Sequence, residues 1–242
     1  MAMLPADLLT KYGLQEAEAM EVIKFAITRA LTVALRKSLA VRIEDRLEIT
    51  VFPEQGEPID LSPAVIKSKV RRFIIHHVEL ELQKRQVMRE AEELKELRGK
   101  NVAGEISRIA ENGTLYVALE IADVFSHLIL AGECPVRYQP LHERGRYRIG
   151  DVREFFVSSV LPIVVNGRSA HVRIRLSRIT KELPALLLTE RTSVAGIICR
   201  RRIAGGFSDI VTPIRIPKDA INSVGKELGE HLNVFISQAS TR

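Results

Sequence analysis

Two adjacent histidines, two isolated cysteines and a set of arginines interleaved with sparse aromatics are the side chains in this sequence that invite a chemical reading. His76 and His77, as neighbours on a helix, point about 100° apart and do not clamp one metal ion; one is expected against a core and one at the surface. Cys134 and Cys199 form neither a metal-binding spacing nor a disulfide framework, which fits a reducing cytoplasm. There is no phosphate-cradling loop ending in Gly-Lys, no nucleophile elbow, no H-E-x-x-H helix and no C-x-x-C pair, and no two acids stand out as a catalytic couple. Nothing supports an enzyme, and no cofactor is expected.

Binding chemistry is better represented. Small β-barrels hold single strands by stacking bases on exposed rings beside a basic groove. Aromatics make up only 5% of the chain, so the candidates are few. Tyr116, Phe125 and His127 are expected to share a barrel face; at least one of Phe155 and Phe156 is core, and Phe156 can face either way. Arg137, Arg148, Arg173, Arg175 and Arg178 are the cations available to phosphate in the same region. Arg200-Arg201-Arg202 precede the Gly205-Gly206 loop, and consecutive residues on a strand alternate, so both faces would receive charge. For each of these arginines a structural role is equally open.

The charge is unevenly placed. The 242-residue chain carries a formal +6, but residues 1–60 hold 7 basic and 10 acidic residues, leaving 29 basic and 20 acidic for the rest. A basic C-terminal part suits phosphate, and an acidic N-terminal part suits another task. With 46% apolar residues the chain can fill cores. No apolar run approaches the roughly 20 residues that span a bilayer, and the N-terminus lacks the basic-then-apolar pattern of a secretion signal, so a cytoplasmic protein with no membrane partner is expected.

These residues must be positioned by an α+β multidomain chain. A short helix at 4–12 stopped by Gly13, a stronger helix from about Gln15 to Leu39, and a hairpin of Val41–Ile43 with Leu47–Phe52 are predicted first. Ser62-Pro63 reads as N-cap and first position of a long helix ending before Gly99, more suited to connecting domains than to filling one core; the basic group at 67–72 is a solvated face or a contact with nucleic acid or polymerase acids. From Gly99 the pattern changes to short strands: Val102–Ile109, Leu115–Ile121, His127–Leu130, Val152–Leu161 and His171–Leu176, with turns at Asn112-Gly113 and Asn166-Gly167. Five strands at this spacing suit an OB-type β-barrel. Thr180–Glu190, Val194–Arg201, Ser208–Ile216, a helix from Pro217 to Leu228 and Leu232–Ile236 then give an α-β-β-α-β segment. The domains are therefore read as 1–98, 99–179 and 180–242.

In this order the parts resemble the bacterial transcription factor family NusA: an N-terminal helical domain, a connector helix, an S-one-type barrel and a K-homology-like unit. Gly104-Glu105-Ile106 with Gly113-x-Leu115-Tyr116-Val117 is similar to the barrel's first two strands, and Tyr147-Arg148-Ile149-Gly150-Asp151-Val152 to its Y-R-x-G-D-x-V stretch. Arg175-Leu176-Ser177-Arg178 followed by Glu182-Leu183-Pro184-Ala185-Leu186-Leu187 resembles the L-S-R-T-x-P-x-L-L junction, and Ile221–Leu228 the helix after the K-homology loop. The resemblance implies a regulator of elongation, pausing, termination or antitermination. Its N-terminal domain would dock on RNA polymerase, its barrel and K-homology parts would hold single-stranded nascent RNA, and other transcription factors would be further partners.

The sequence departs from that family where the K-homology unit should grip RNA with a G-x-x-G loop. Ile216-Pro217-Lys218-Asp219 stands there: the proline removes an N–H donor and the aspartate repels phosphate, leaving Lys218 as the cation. One helix and a second K-homology domain are expected to be missing. Most of the grip then falls to the barrel and the arginines near residue 200. The alternatives are a general single-stranded RNA-binding or ribosome-associated OB protein without polymerase contact, or an accessory subunit of an RNA-processing enzyme.

Overall fold

The computed structural model describes residues 12, 16–36, 39–43, 47–52, 57–62, 66–123, 126–164 and 170–237. Of the expected helix at 4–12 only Tyr12 is described, as a turn residue, and the Asn166-Gly167 turn lies outside these residues. The chain is α+β and falls into two compact units, residues 1–92 with 162–172, and residues 93–161 with 173–242.

In the N-terminal unit, Ala19, Ile23, Ala26, Ile27, Ala30 and Leu31 recur at helical spacing and bury one side of α1 (Glu16–Leu35). The helix ends earlier than periodicity suggested, because Arg36 takes a left-handed conformation (φ 53°) and Leu39 opens a strand. Strands β1 (Leu39–Ile43), β2 (Leu47–Val51) and β3 (Ile59–Leu61) form an antiparallel sheet in that order. At three residues, β3 was too short to carry an alternation signal. Helix α2 spans Ser68–Glu93 and passes into a 3-10 turn at Leu94–Leu97. Its start is a correction to the Ser62-Pro63 reading: Ile66 and Lys67 precede the helix, Ile66 is buried, and the Lys67 carbonyl accepts the amides of Val70 and Arg71. Nor is α2 only a connector, since Ile74, Val78 and Leu82 share one core with α1, Val41, Ile49 and Val51.

Strands β4 (Asn101–Ile109), β5 (Leu115–Asp123), β6 (Ser126–Cys134), β7 (Val152–Ile163) and β8 (His171–Ser177), which apart from residues 162–163 and 171–172 belong to the second unit, close into a barrel ordered β4-β5-β6-β8-β7. Neighbouring pairs are antiparallel except β6 with β8, which run parallel. Period-two alternation sends Ile106, Leu115, Val117, Leu119, Phe155, Val157, Ile174 and Leu176 inward. The turn after β4 places Gly113 alone at positive φ (76°), while the Asn112 side chain accepts the Thr114 amide. It is therefore the three-residue kind of hairpin loop rather than the two-residue one the Asn-Gly pair suggested.

Beyond the barrel come α3 (Leu183–Thr192), β9 (Ile198–Ile203), β10 (Phe207–Thr212), α4 (Lys218–Leu228) and β11 (His231–Ile236). The sheet order is β11-β10-β9, with β10 parallel to β11 and antiparallel to β9. Leu183, Leu187, Leu188, Cys199, Ile210, Val224, Leu228 and Leu232 form its core on the helix side. Phe156 of β7 packs into this core while its neighbour Phe155 fills the barrel, which settles the direction left open for that pair.

Candidate nucleic-acid interface

The electrostatic centre of the second unit is buried. Arg178, at the end of β8, is 0% exposed. Its Nε and Nη2 donate to the two oxygens of Glu143 at 2.7 and 2.6 Å, and its Nη1 donates to Glu227 Oε1 at 3.0 Å and to the Glu154 carbonyl at 2.7 Å. Nη2 also reaches the Glu227 carbonyl at 3.0 Å. Tyr147 donates its hydroxyl to Glu143. Burial pushes the Glu143 carboxyl up, but the Arg178 hydrogen bonds and charge outweigh it and hold the acid below the ordinary carboxylate range. Burial and the Glu143 charge push the Tyr147 phenol well up. Arg178 was a candidate for phosphate; the structure corrects this, because both acids it neutralises are internal and no face of the guanidinium reaches solvent.

This network fixes the segment between β6 and β7, residues 135–151. With Glu143 and Tyr147 anchored beneath, Arg144, Arg146 and Arg148 alternate outward and are exposed, as is Arg137. None of the four pairs with a carboxylate among the described residues; Arg144 Nε reaches the Gln139 carbonyl at 3.3 Å, and Arg137 lies 4.9 Å from the Tyr138 ring centroid. The result is a comb of cations on a loop of fixed shape. Arg144 and Arg146 were missed from sequence, although Arg-Gly-Arg-Tyr-Arg alternation is a visible signal. His142, at the base of the loop, lies against two turns: a Cβ on Gly205 would stand 2.0 Å from its Nδ1, and one on Gly229 2.6 Å from its Nε2.

The expected aromatic face of the barrel is differently charged. Tyr116 does face outward from β5, with the Arg108 guanidinium 3.9 Å from its ring centroid. Glu133 stands directly opposite it on β6, however, and Glu105 and Glu120 are exposed on the same β4–β5–β6 surface. Three carboxylates on this surface disfavour a phosphate chain there. Phe125 lies outside the described residues. His127 pairs with Ala122 in the β5–β6 register, and its side chain is outside the description. Arg173 and Arg175 are half-buried on β8, Arg175 paired with Glu133 across the parallel ladder.

The three arginines of β9 divide. A bulge between Asp209 and Ile210 shifts the β9–β10 register, so Arg200 and Arg201 are both exposed. Arg202 turns inward to the fully buried Glu230, donating from Nη2 at 2.7 Å and from Nε at 3.0 Å, and also to the Thr180 carbonyl. It is removed from the phosphate candidates, because its charge is spent inside the module. Lys218 is exposed as the first residue of α4, directly after Pro217, with no preceding helix and loop to form a cradle.

Among the described residues no group of three or more His, Cys, Asp and Glu is placed to hold a metal. His77 packs edge-on against Phe73 while His76 is exposed. Both cysteines are buried, and burial pushes the Cys134 thiol up to about 12. No described helix is long and apolar enough to cross a membrane. Comparison with protein-family models and with curated proteins finds no match.

Proposed function

We propose that this protein is a NusA-like regulator of transcript elongation and termination that holds single-stranded nascent RNA through its second unit and meets RNA polymerase through its first. The observation that carries the RNA reading is the arginine comb of Arg144, Arg146 and Arg148, carried on a loop whose backbone is anchored through the buried Arg178–Glu143–Tyr147 network. A loop already ordered loses less conformational entropy when a phosphate chain arrives. The barrel beneath it has the strand order and the single parallel pair of oligonucleotide-binding barrels, and the module after it has the α-β-β-α-β order with a parallel β10–β11 pair expected of a K-homology unit that has lost one helix and its loop.

The polymerase reading is supported by the first unit. A groove of about 780 Å³ between α1 and α2 is lined by apolar Val22, Phe25 and Met88 and by charged Glu18, Glu21, Lys84 and Arg85. Phe25 and Met88 are 59% and 52% exposed, which suits an apolar partner segment. The test uses polymerase halted on a template with a photoreactive base in the emerging transcript. The full chain is expected to crosslink to that transcript more efficiently when polymerase is present, and Phe25→Glu with Met88→Glu should remove the enhancement. Equal crosslinking to free and polymerase-bound transcript would favour a general RNA-binding protein; no crosslink in either state would end the RNA reading.

A further inference from the structure

The C-terminal sheet has one face under α3 and α4 and one face open. Outward from the open face stand Ile198, Arg201 and Ile203 on β9, Phe207, Asp209 and Val211 on β10, and His231, Asn233 and Phe235 on β11. Apolar exposure is unusual on a solvent-facing sheet, yet Phe235 is 56% exposed and Ile203 48%. The register sets Phe207 directly beside His231 on one side and Ile203 on the other, and the Arg201 guanidinium lies 5.2 Å from the Phe207 ring centroid. Four residues further along β11, about 13 Å at roughly 3.3 Å per residue, Phe235 presents a second ring.

We infer that this open face is a stacking platform for the bases of single-stranded RNA, with Phe207, His231 and Phe235 as ring positions and Arg200 and Arg201 as phosphate contacts. The inference rests on the RNA reading above and moves the module's grip away from the helix-side cleft. That cleft has no glycine loop, since α4 starts at Lys218 behind Pro217. Two features select RNA over an apolar protein partner, beside a row in which Phe235 adjoins Val211 and Ile198 across the sheet. Arg200 and Arg201 are exposed at one edge through the β9 bulge. Asp209, the carboxylate on this face among the described strand residues, is engaged by the Asn233 amide at 2.9 Å and lies opposite Arg201 in the ladder. Rings and guanidinium planes on an open sheet are the chemistry by which sheet-type RNA modules stack unpaired bases.

The chain contains no tryptophan, so a single introduced indole reports without background. The full-length protein carrying Phe235→Trp would be titrated with a fluorescein-free single-stranded 12-mer, while anisotropy of a labelled copy of the same RNA follows binding to the wild type, all at pH 8. Quenching of the indole over the same concentration range as the anisotropy rise is expected. Loss of one stacking ring by Phe235→Ala should weaken binding about 5- to 100-fold with Tm unchanged, and Arg201→Ala should reduce the salt slope by about 0.7. If the RNA binds but the indole does not respond and Phe235→Ala binds as wild type, the platform is wrong while the arginine comb stands. An indole that changes with protein concentration rather than with RNA would make the face an interface between copies and overturn the inference. If the wild type fails to bind the RNA at low salt, both readings fall.

Discussion

Arg178 and Glu143 meet through two parallel hydrogen bonds, Nε to Oε2 at 2.7 Å and Nη2 to Oε1 at 2.6 Å, with the guanidinium entirely buried. This pair joins the arginine-bearing loop of the barrel to the end of β8, and through Glu227 to α4 of the C-terminal module. A guanidinium is suited to the place because its planar fork satisfies both carboxylates and two carbonyls at once.

Arg178→Ala should therefore destabilise the second unit by about 3–5 kcal/mol, because it strands Glu143 and Glu227 without their cation. Arg178→Lys should recover only part of this, since an ammonium cannot form the bidentate contact. Thermal or urea unfolding of the full chain checks both; a loss under 1 kcal/mol for the alanine variant would show that the pair is not holding the loop.

The same pair sets an acid limit. The Glu143 carboxyl titrates below its ordinary range in the folded chain. Its stabilising contribution is thus fully present above the unfolded-state carboxylate value of about 4.3, and is lost as pH falls through the lower folded-state value. Glu154 runs the other way: burial, then the charges of Glu190 and Glu227, raise it, so its contribution favours folding at low pH and fades as pH rises through its folded value. Urea titrations between pH 3 and 7 should show stability falling at the acid end, and Glu143→Gln should flatten that fall. An unchanged acid limb in Glu143→Gln would contradict the assignment.

His142 requires glycine at two distant positions. Gly205 (φ 83°) and Gly229 (φ 64°) both sit in the left-handed region and both face the imidazole. Gly229→Ala should cost about 1–2 kcal/mol from the backbone alone, plus the displacement of the ring. In the double variant with His142→Ala the clash is removed, so the combined loss should be smaller than the sum of the single losses by about 0.5 kcal/mol or more. Strict additivity in a double-mutant cycle would show that the ring moves aside freely.

The strand segments of the barrel and the α-β-β-α-β order beyond it were legible because their apolar positions alternate cleanly, as at Leu115, Val117 and Leu119. The start of α2 was not, because Ser62-Pro63 is a strong local start signal that the burial of Ile66 overrides. Charged residues were the hardest to place. Arg178 and Arg202 look from sequence like Arg175 and Arg201, and only acids 35, 49 and 28 residues away reveal that two of them are internal. The β9 bulge, which exposes Arg200 beside Arg201, depends on pairing with β10 and leaves no mark on the local pattern. The acidity of the Tyr116 face emerges only when Glu133 is brought opposite it by the β5–β6 register.

Arginines that hold the phosphates of a single-stranded RNA make binding salt-dependent, so salt titration reads the contribution of Arg144, Arg146 and Arg148. Anisotropy of a labelled single-stranded RNA should be recorded from 50 to 200 mM salt for the full wild-type chain and for the chain carrying Arg144→Ala, Arg146→Ala and Arg148→Ala together. At roughly 0.7 per phosphate on a single strand, the slope of log K against log salt is expected to become shallower by about 2 in the variant, with Tm unchanged. An identical slope and affinity in the two proteins would contradict it.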